Sequence, residues 1–142
     1  MATSLTFTGT LMASASFLLS ASQTTPIVIA QGGPAGSRIY SIAVQTNSSN
    51  AANHVLGLSS SAGIARIGTL AVTANSGFTA GTANFDYFGN VLYASIFQKQ
   101  KDANGVPYFN LAPNTFLTMQ ISASVFLSAG STSSIFVNGE FY

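Results

Sequence analysis

The side chains able to move protons or hold ions are few. Seven are charged: Arg38, Arg66, Lys99, Lys101, Asp86, Asp102 and Glu140. There is one imidazole, His54, and no cysteine. General acid–base work needs two titratable groups held together, and the three carboxylates are far apart in sequence, each in a different local pattern. A serine triad would have to use His54, yet no Gly-x-Ser-x-Gly elbow is present. A lone histidine cannot complete a typical zinc set. In strand register His54 aligns with Leu56 and Leu58, which suits a satisfied, partly buried or interface histidine. The expectation is a non-enzyme with no catalytic residue, no metal and no cofactor.

Two loops invite a site reading and fail it. Gly32-Gly33-Pro34-Ala35-Gly36-Ser37 is glycine-rich, but a phosphate cradle ends in Lys-Ser/Thr and opens a helix, whereas a strand begins at Arg38. Asp102-Ala103-Asn104-Gly105 begins like a calcium loop, but its glycine falls too early and no distal Glu follows at the right spacing. A hairpin turn explains it better. Asn47-Ser48-Ser49 is a formal glycosylation acceptor of the kind expected by chance in a chain this rich in Asn and Ser.

The same scarcity of charge bears on partners. A formal net charge of +1 from four scattered cations gives no basic stripe for neutralising phosphates, so no nucleic acid is expected. Every apolar run is broken by Ser, Thr, Gln or Gly before the roughly 18 residues that suggest a membrane helix, so no membrane partner is expected. The stretch from Leu11 to Ala21 is similar to the apolar part of a signal peptide but lacks a preceding Lys or Arg. Globular proteins carry about a quarter of their residues as charges; here the share is 5%. Weak electrostatic protection favours association, so much of the surface is expected to be buried in an assembly, the alternative being a soluble monomer coated in Ser, Thr and Asn.

The elements that position these side chains follow period two, the spacing of strands. Leu117, Met119, Ile121, Ala123, Val125 and Leu127 share one face of a strand over 115–127. Tyr40, Ile42 and Val44 share one face of a strand over 38–46, ended by the turn-forming Asn47-Ser48-Ser49-Asn50, with a returning strand over 53–60. Further strands are expected over 5–10, 16–20, 26–30, 64–73, 108–111 and 134–142. Many short strands with Gly, Asn, Ser and Pro punctuation specify an all-β antiparallel sandwich, jelly-roll-like, of about eight strands. Phe85, Phe88, Leu92 and Phe97 do not alternate, and a short helix near 84–93 is expected. One domain spans 1–142, with residues 1–30 partly in the sandwich or forming an extended arm.

The aromatic set Phe78, Phe85, Tyr87, Phe88, Tyr93, Phe97, Tyr108 and Phe109 has the chemistry of a sugar or base platform, though core filling is the simpler reading and interface anchoring the next. Phe85, Tyr87, Phe88, Tyr93, Phe97, Phe141 and Tyr142 are the expected interface residues.

Taken in order, several segments carry a resemblance: Thr8-Gly9-Thr10-Leu11; Ser37 to Asn47; His54-Val55-Leu56-Gly57-Leu58; Ile67 to Val72; Asp102 to Tyr108; Pro113 to Leu117; and Val137-Asn138-Gly139-Glu140-Phe141. Together they resemble the small virion structural proteins of tailed bacteriophages, of the capsid decoration or cement type, over nearly the whole chain. The resemblance implies a β-sandwich that binds across joints between major capsid proteins, commonly as a homotrimer, on the capsid surface of a virion made in the bacterial host cytoplasm. A phage tail or fibre component, or a carbohydrate-binding attachment module, would share the composition.

Overall fold

A computed structural model describes residues 10–20, 24–79, 81–89, 99–122, 125 and 127–142, with the backbone alone for 10–20. Its strands are β1 (Thr10–Ser20), β2 (Ile27–Gln31), β3 (Ser37–Thr46), β4 (Ala52–Ser60), β5 (Gly63–Val72), β6 (Phe85–Asp86), β7 (Gln100–Lys101), β8 (Pro107–Leu111), β9 (Phe116–Ile121) and β10 (Thr132–Phe141). One sheet runs β1-β10-β3-β8-β7, with β6 beside β3, and the other runs β2-β9-β4-β5. Every pairing is antiparallel.

The pairings nest. β1 lies beside β10, β2 beside β9, β3 beside β8 and β4 beside β5. This is one long hairpin folded across itself, with successive rungs in opposite sheets, and it gives the jelly-roll order expected from the punctuation. The strand after β3, β4, lies in the opposite sheet, so the two do not form a hairpin. The crossing at 47–51 turns on buried Ser48, whose Oγ accepts from Asn50 N and Ser128 N and donates to Asn50 O.

Alternation builds the core. Ile42 and Val44 of β3, Ile135 and Val137 of β10, and Phe109 and Leu111 of β8 are buried, as are Leu117, Met119 and Ile121 of β9 and Leu56 of β4. β-branched residues suit such pleated, half-buried positions.

The alternation slips once in β3. Asn138 faces Ser41 but Gly139 faces Ile39, so β3 carries an extra residue in a bulge. The bulge separates Tyr40 from Ile42 and Val44, the face on which simple alternation places it, and sets it half-exposed beside Tyr108. Gly139 permits this close approach, because a Cβ there would stand 2.3 Å from the Arg38 carbonyl oxygen.

Three local expectations change. In the described part of the expected helix, 84–89, Phe85–Asp86 is instead strand β6 against β3, and Gly89 N donates to Asp86 Oδ1 in the following turn; residues 90–93 lie outside the described residues. β6 forms because Phe85 and Tyr87, two apart, both turn inward. β9 ends at Ile121 rather than running to 127; beyond it Asn53 of β4 still accepts from Ser122 N and donates to the Val125 carbonyl, Val125 is exposed, and residues 123, 124 and 126 lie outside the described residues. Residues 10–20 and 27–31 of the N-terminal region are sheet strands, while the expected strand over 5–10 falls almost wholly outside the described residues.

Candidate functional site

His54 is fully buried. Its Nδ1 lies 3.2 Å from the Ala52 carbonyl, which only accepts, so Nδ1 carries the proton and Nε2 accepts from Ser133 Oγ at 2.9 Å. The Tyr87 hydroxyl donates to the His54 carbonyl at 2.6 Å. Burial lowers the imidazole pKa to about 4. The group is thus a buried neutral cross-sheet tie between β4 and β10.

The two aspartates serve turns, while Glu140 lies in β10 opposite Arg38. Asp86 Oδ1 accepts from Gly89 N, and Asp102 Oδ1 accepts from Asn104 N and Val106 N, which makes 102–105 the tip of a hairpin. Among the described residues no group of three His, Cys, Asp or Glu side chains is placed to hold a metal ion.

The residues expected at an interface divide. Tyr87 and Phe88 are buried in the subunit's own core, Phe88 stacked on Phe109 at 5.5 Å, and Phe85 is half-buried edge-on to Tyr87. Lys99 Nζ sits 4.7 Å above the Phe88 ring and donates to its carbonyl. Phe141 packs on the core and against Gly33. Tyr93 and Phe97 lie outside the described residues. Of the five among the described residues, Tyr142 is the exposed one, at 44%.

Tyr142 belongs to a surface cluster that the sequence reading does not assemble. Arg38 of β3 faces Glu140 on β10 and Asn110 on β8. Its guanidinium lies 4.7 Å from the Tyr108 ring and 5.2 Å from the Tyr142 ring, and its Nε donates to the Tyr142 hydroxyl at 2.9 Å. That hydroxyl donates in turn to Asn110 Oδ1. Tyr40 packs on Tyr108 at 5.8 Å, and the Tyr108 hydroxyl donates to Gln100 Oε1. The bond to Tyr142, then that to Tyr40, holds the Arg38 pKa above its ordinary value. The result is a fixed cation between aromatic rings on the outer face of the first sheet. The period-two pair Arg38 and Tyr40 is the only part of it visible locally; Arg38 and Tyr142 stand 104 positions apart.

A second exposed aromatic, Phe78, lies at the other end of the same sheet. It borders a cleft of about 80 Å³ lined also by Gln45, Thr46, Asn47, Thr132 and Ser134. Comparison with protein-family models, curated proteins and solved structures finds no match for this chain.

Proposed function

We propose that the protein is a non-enzymatic virion structural protein that decorates or cements a phage capsid, binding across joints between major capsid proteins as a homotrimer on the capsid surface. The observation that carries this reading is the Arg38, Tyr108 and Tyr142 cluster on a jelly roll with almost no charge elsewhere. Arg and Tyr are the residue types that most often anchor interfaces, because they bury large area while keeping fixed polar contacts. The prepaired guanidinium loses little freedom on binding and presents a cation to capsid carbonyls or carboxylates. Repetition over many copies makes modest contacts collectively strong. The sequence resemblance supports the capsid and the trimer.

The test is the mass of the purified protein by light scattering at several concentrations and at high salt, followed by co-sedimentation with phage heads lacking it. A salt-resistant trimer that pellets with the heads is expected. A protein that stays monomeric and remains in the supernatant removes the proposal.

A further inference from the structure

The cleft beside Phe78 is a second built surface, and its chemistry differs from that of the Arg38 cluster. The Phe78 ring is 59% exposed, the most exposed large apolar side chain among the described residues. Its loop is pinned to the sheet from below: Gln45 Nε2 donates to the Gly77 carbonyl at 2.8 Å, Thr46 N to the Ser76 carbonyl, and Asn75 N to the Ser48 carbonyl. The ring is therefore held out on a fixed scaffold.

Around it stand uncharged polar groups with hydrogen-bonding capacity left over among the described residues. Asn47 Oδ1 accepts from Thr132 N at 2.8 Å, which turns the amide so that Nδ2 has no hydrogen bond within the described residues. The same holds for the Thr132 and Ser134 hydroxyls and for Gln45 Oε1. Gln45 and Ser134 face each other across β3 and β10. An exposed ring flanked by amides and hydroxyls, without a charge among the lining residues, matches a ligand with C–H faces and neutral hydroxyls. It does not match an anion, a cation or a nucleic-acid backbone. At about 80 Å³ the cleft is too small to enclose a drug-sized molecule, but it suits one pyranose ring seated on Phe78 with its far side in water.

We propose that this cleft is a carbohydrate subsite: Phe78 stacks on the apolar face of one sugar ring while Gln45, Asn47, Thr132 and Ser134 bond its hydroxyls. The site lies about seven residues along β3 from Arg38, roughly 20 Å at strand rise. A subunit held by the Arg38 end therefore presents the sugar site away from that contact. The subsite stands on its own observations and does not require the capsid reading.

Saturation-transfer NMR on the full-length protein tests it, with methyl α-glucoside, methyl β-galactoside, N-acetylglucosamine and rhamnose at millimolar concentration, the affinity range of a shallow single-ring site. Transfer to the ring C–H protons of at least one sugar is expected. Phe78→Ala should weaken that sugar roughly tenfold, Phe78→Tyr should keep it, and Ser134→Ala should lower it several-fold. Folding of each variant is checked by its amide spectrum, and a ring this exposed can be removed without opening the core. Absence of transfer from all four sugars, or transfer unchanged in Phe78→Ala, overturns the subsite. So does a Phe78→Ala protein whose only defect is lower assembly mass in light scattering, which would make the ring a protein contact.

Discussion

The Nε2 atom of His54, in β4 of one sheet, lies 2.9 Å from Ser133 Oγ, in β10 of the other. A jelly roll is held chiefly by apolar side chains meeting between its sheets, and this pair is a directional bond across the same gap. Because the imidazole is buried and neutral, the bond ties the register of β10 to that of β4 and makes the fold sensitive to protons.

The pH dependence has a definite sign. The folded-state pKa of His54 is about 4, below the ordinary 6.5, so as pH falls through 6.5 the unfolded chain takes up a proton that the folded chain refuses. Stability is full above 6.5 and declines between 6.5 and 4, by roughly 3 kcal/mol for this group. Urea denaturation at pH 7.5 and pH 4.5 measures the drop. A His54→Gln variant should be less stable at pH 7.5 and flatter over the interval; an equally steep profile would assign the loss to other groups.

Tyr87→Phe removes the donor to the His54 carbonyl and leaves that buried acceptor without the hydroxyl. A loss of about 1–3 kcal/mol in unfolding free energy is expected and, on the capsid-binding proposal, little effect on particle binding, since the ring is buried within the fold. Equal losses in both assays would return Tyr87 to the interface.

Gly139→Ala sets a methyl 2.3 Å from the Arg38 carbonyl oxygen. Backbone cannot yield there as a flexible side chain would, so β10 must shift from β3 at a cost of about 1–3 kcal/mol. Amide exchange should quicken in Ile39 and Glu140 before it does in β4 and β5.

On the capsid-binding proposal, Arg38→Ala should cut binding to phage heads by ten- to a hundredfold, the range of an interface anchor, while leaving the melting temperature within a few degrees. Arg38→Lys should restore little, because a lysine cannot both stack between two rings and hold the Tyr142 hydroxyl in a planar fork. Deleting Tyr142 should approach the Arg38→Ala result.

Most of the long strands were legible because their period-two runs and turn residues are local signals: β2, β3, β4, β5, β8 and β10 fall within two residues of their expected bounds, whereas β1 was anticipated only over 16–20 and β9 stops well short of its alternating run. What the alternation could not carry is whatever depends on distant partners. Tyr40 changes face because Gly139, far along the chain, allows a bulge. Phe85 and Asp86 lie in a segment whose spacing suits a helix, and it is pairing with Val44 and Ala43 that draws them into β6. Aromatic content left Tyr87 and Phe88 open to a core or an interface role, and their burial follows from the sheet that closes over them. Phe78 was visible as a ring, but its exposure follows from loop bonds to β3. The Arg38 cluster is assembled by three strands, and only the finished sheet brings them together.

The nested pairing also sets the order in which the chain can fold. β10 lies between β1 and β3, so while the chain is being made these two strands wait, without the neighbour that will separate them, until the final ten-residue strand has left the ribosome. Of the nested pairs, only the β4–β5 hairpin can close early. Folding dominated by such distant pairings is slow, and strands left waiting with open edges pair with whatever is near, including other nascent copies. Sparse charge makes that hazard greater. Yield in the cell should therefore depend more on chaperone supply and growth temperature than on the stability of the finished molecule.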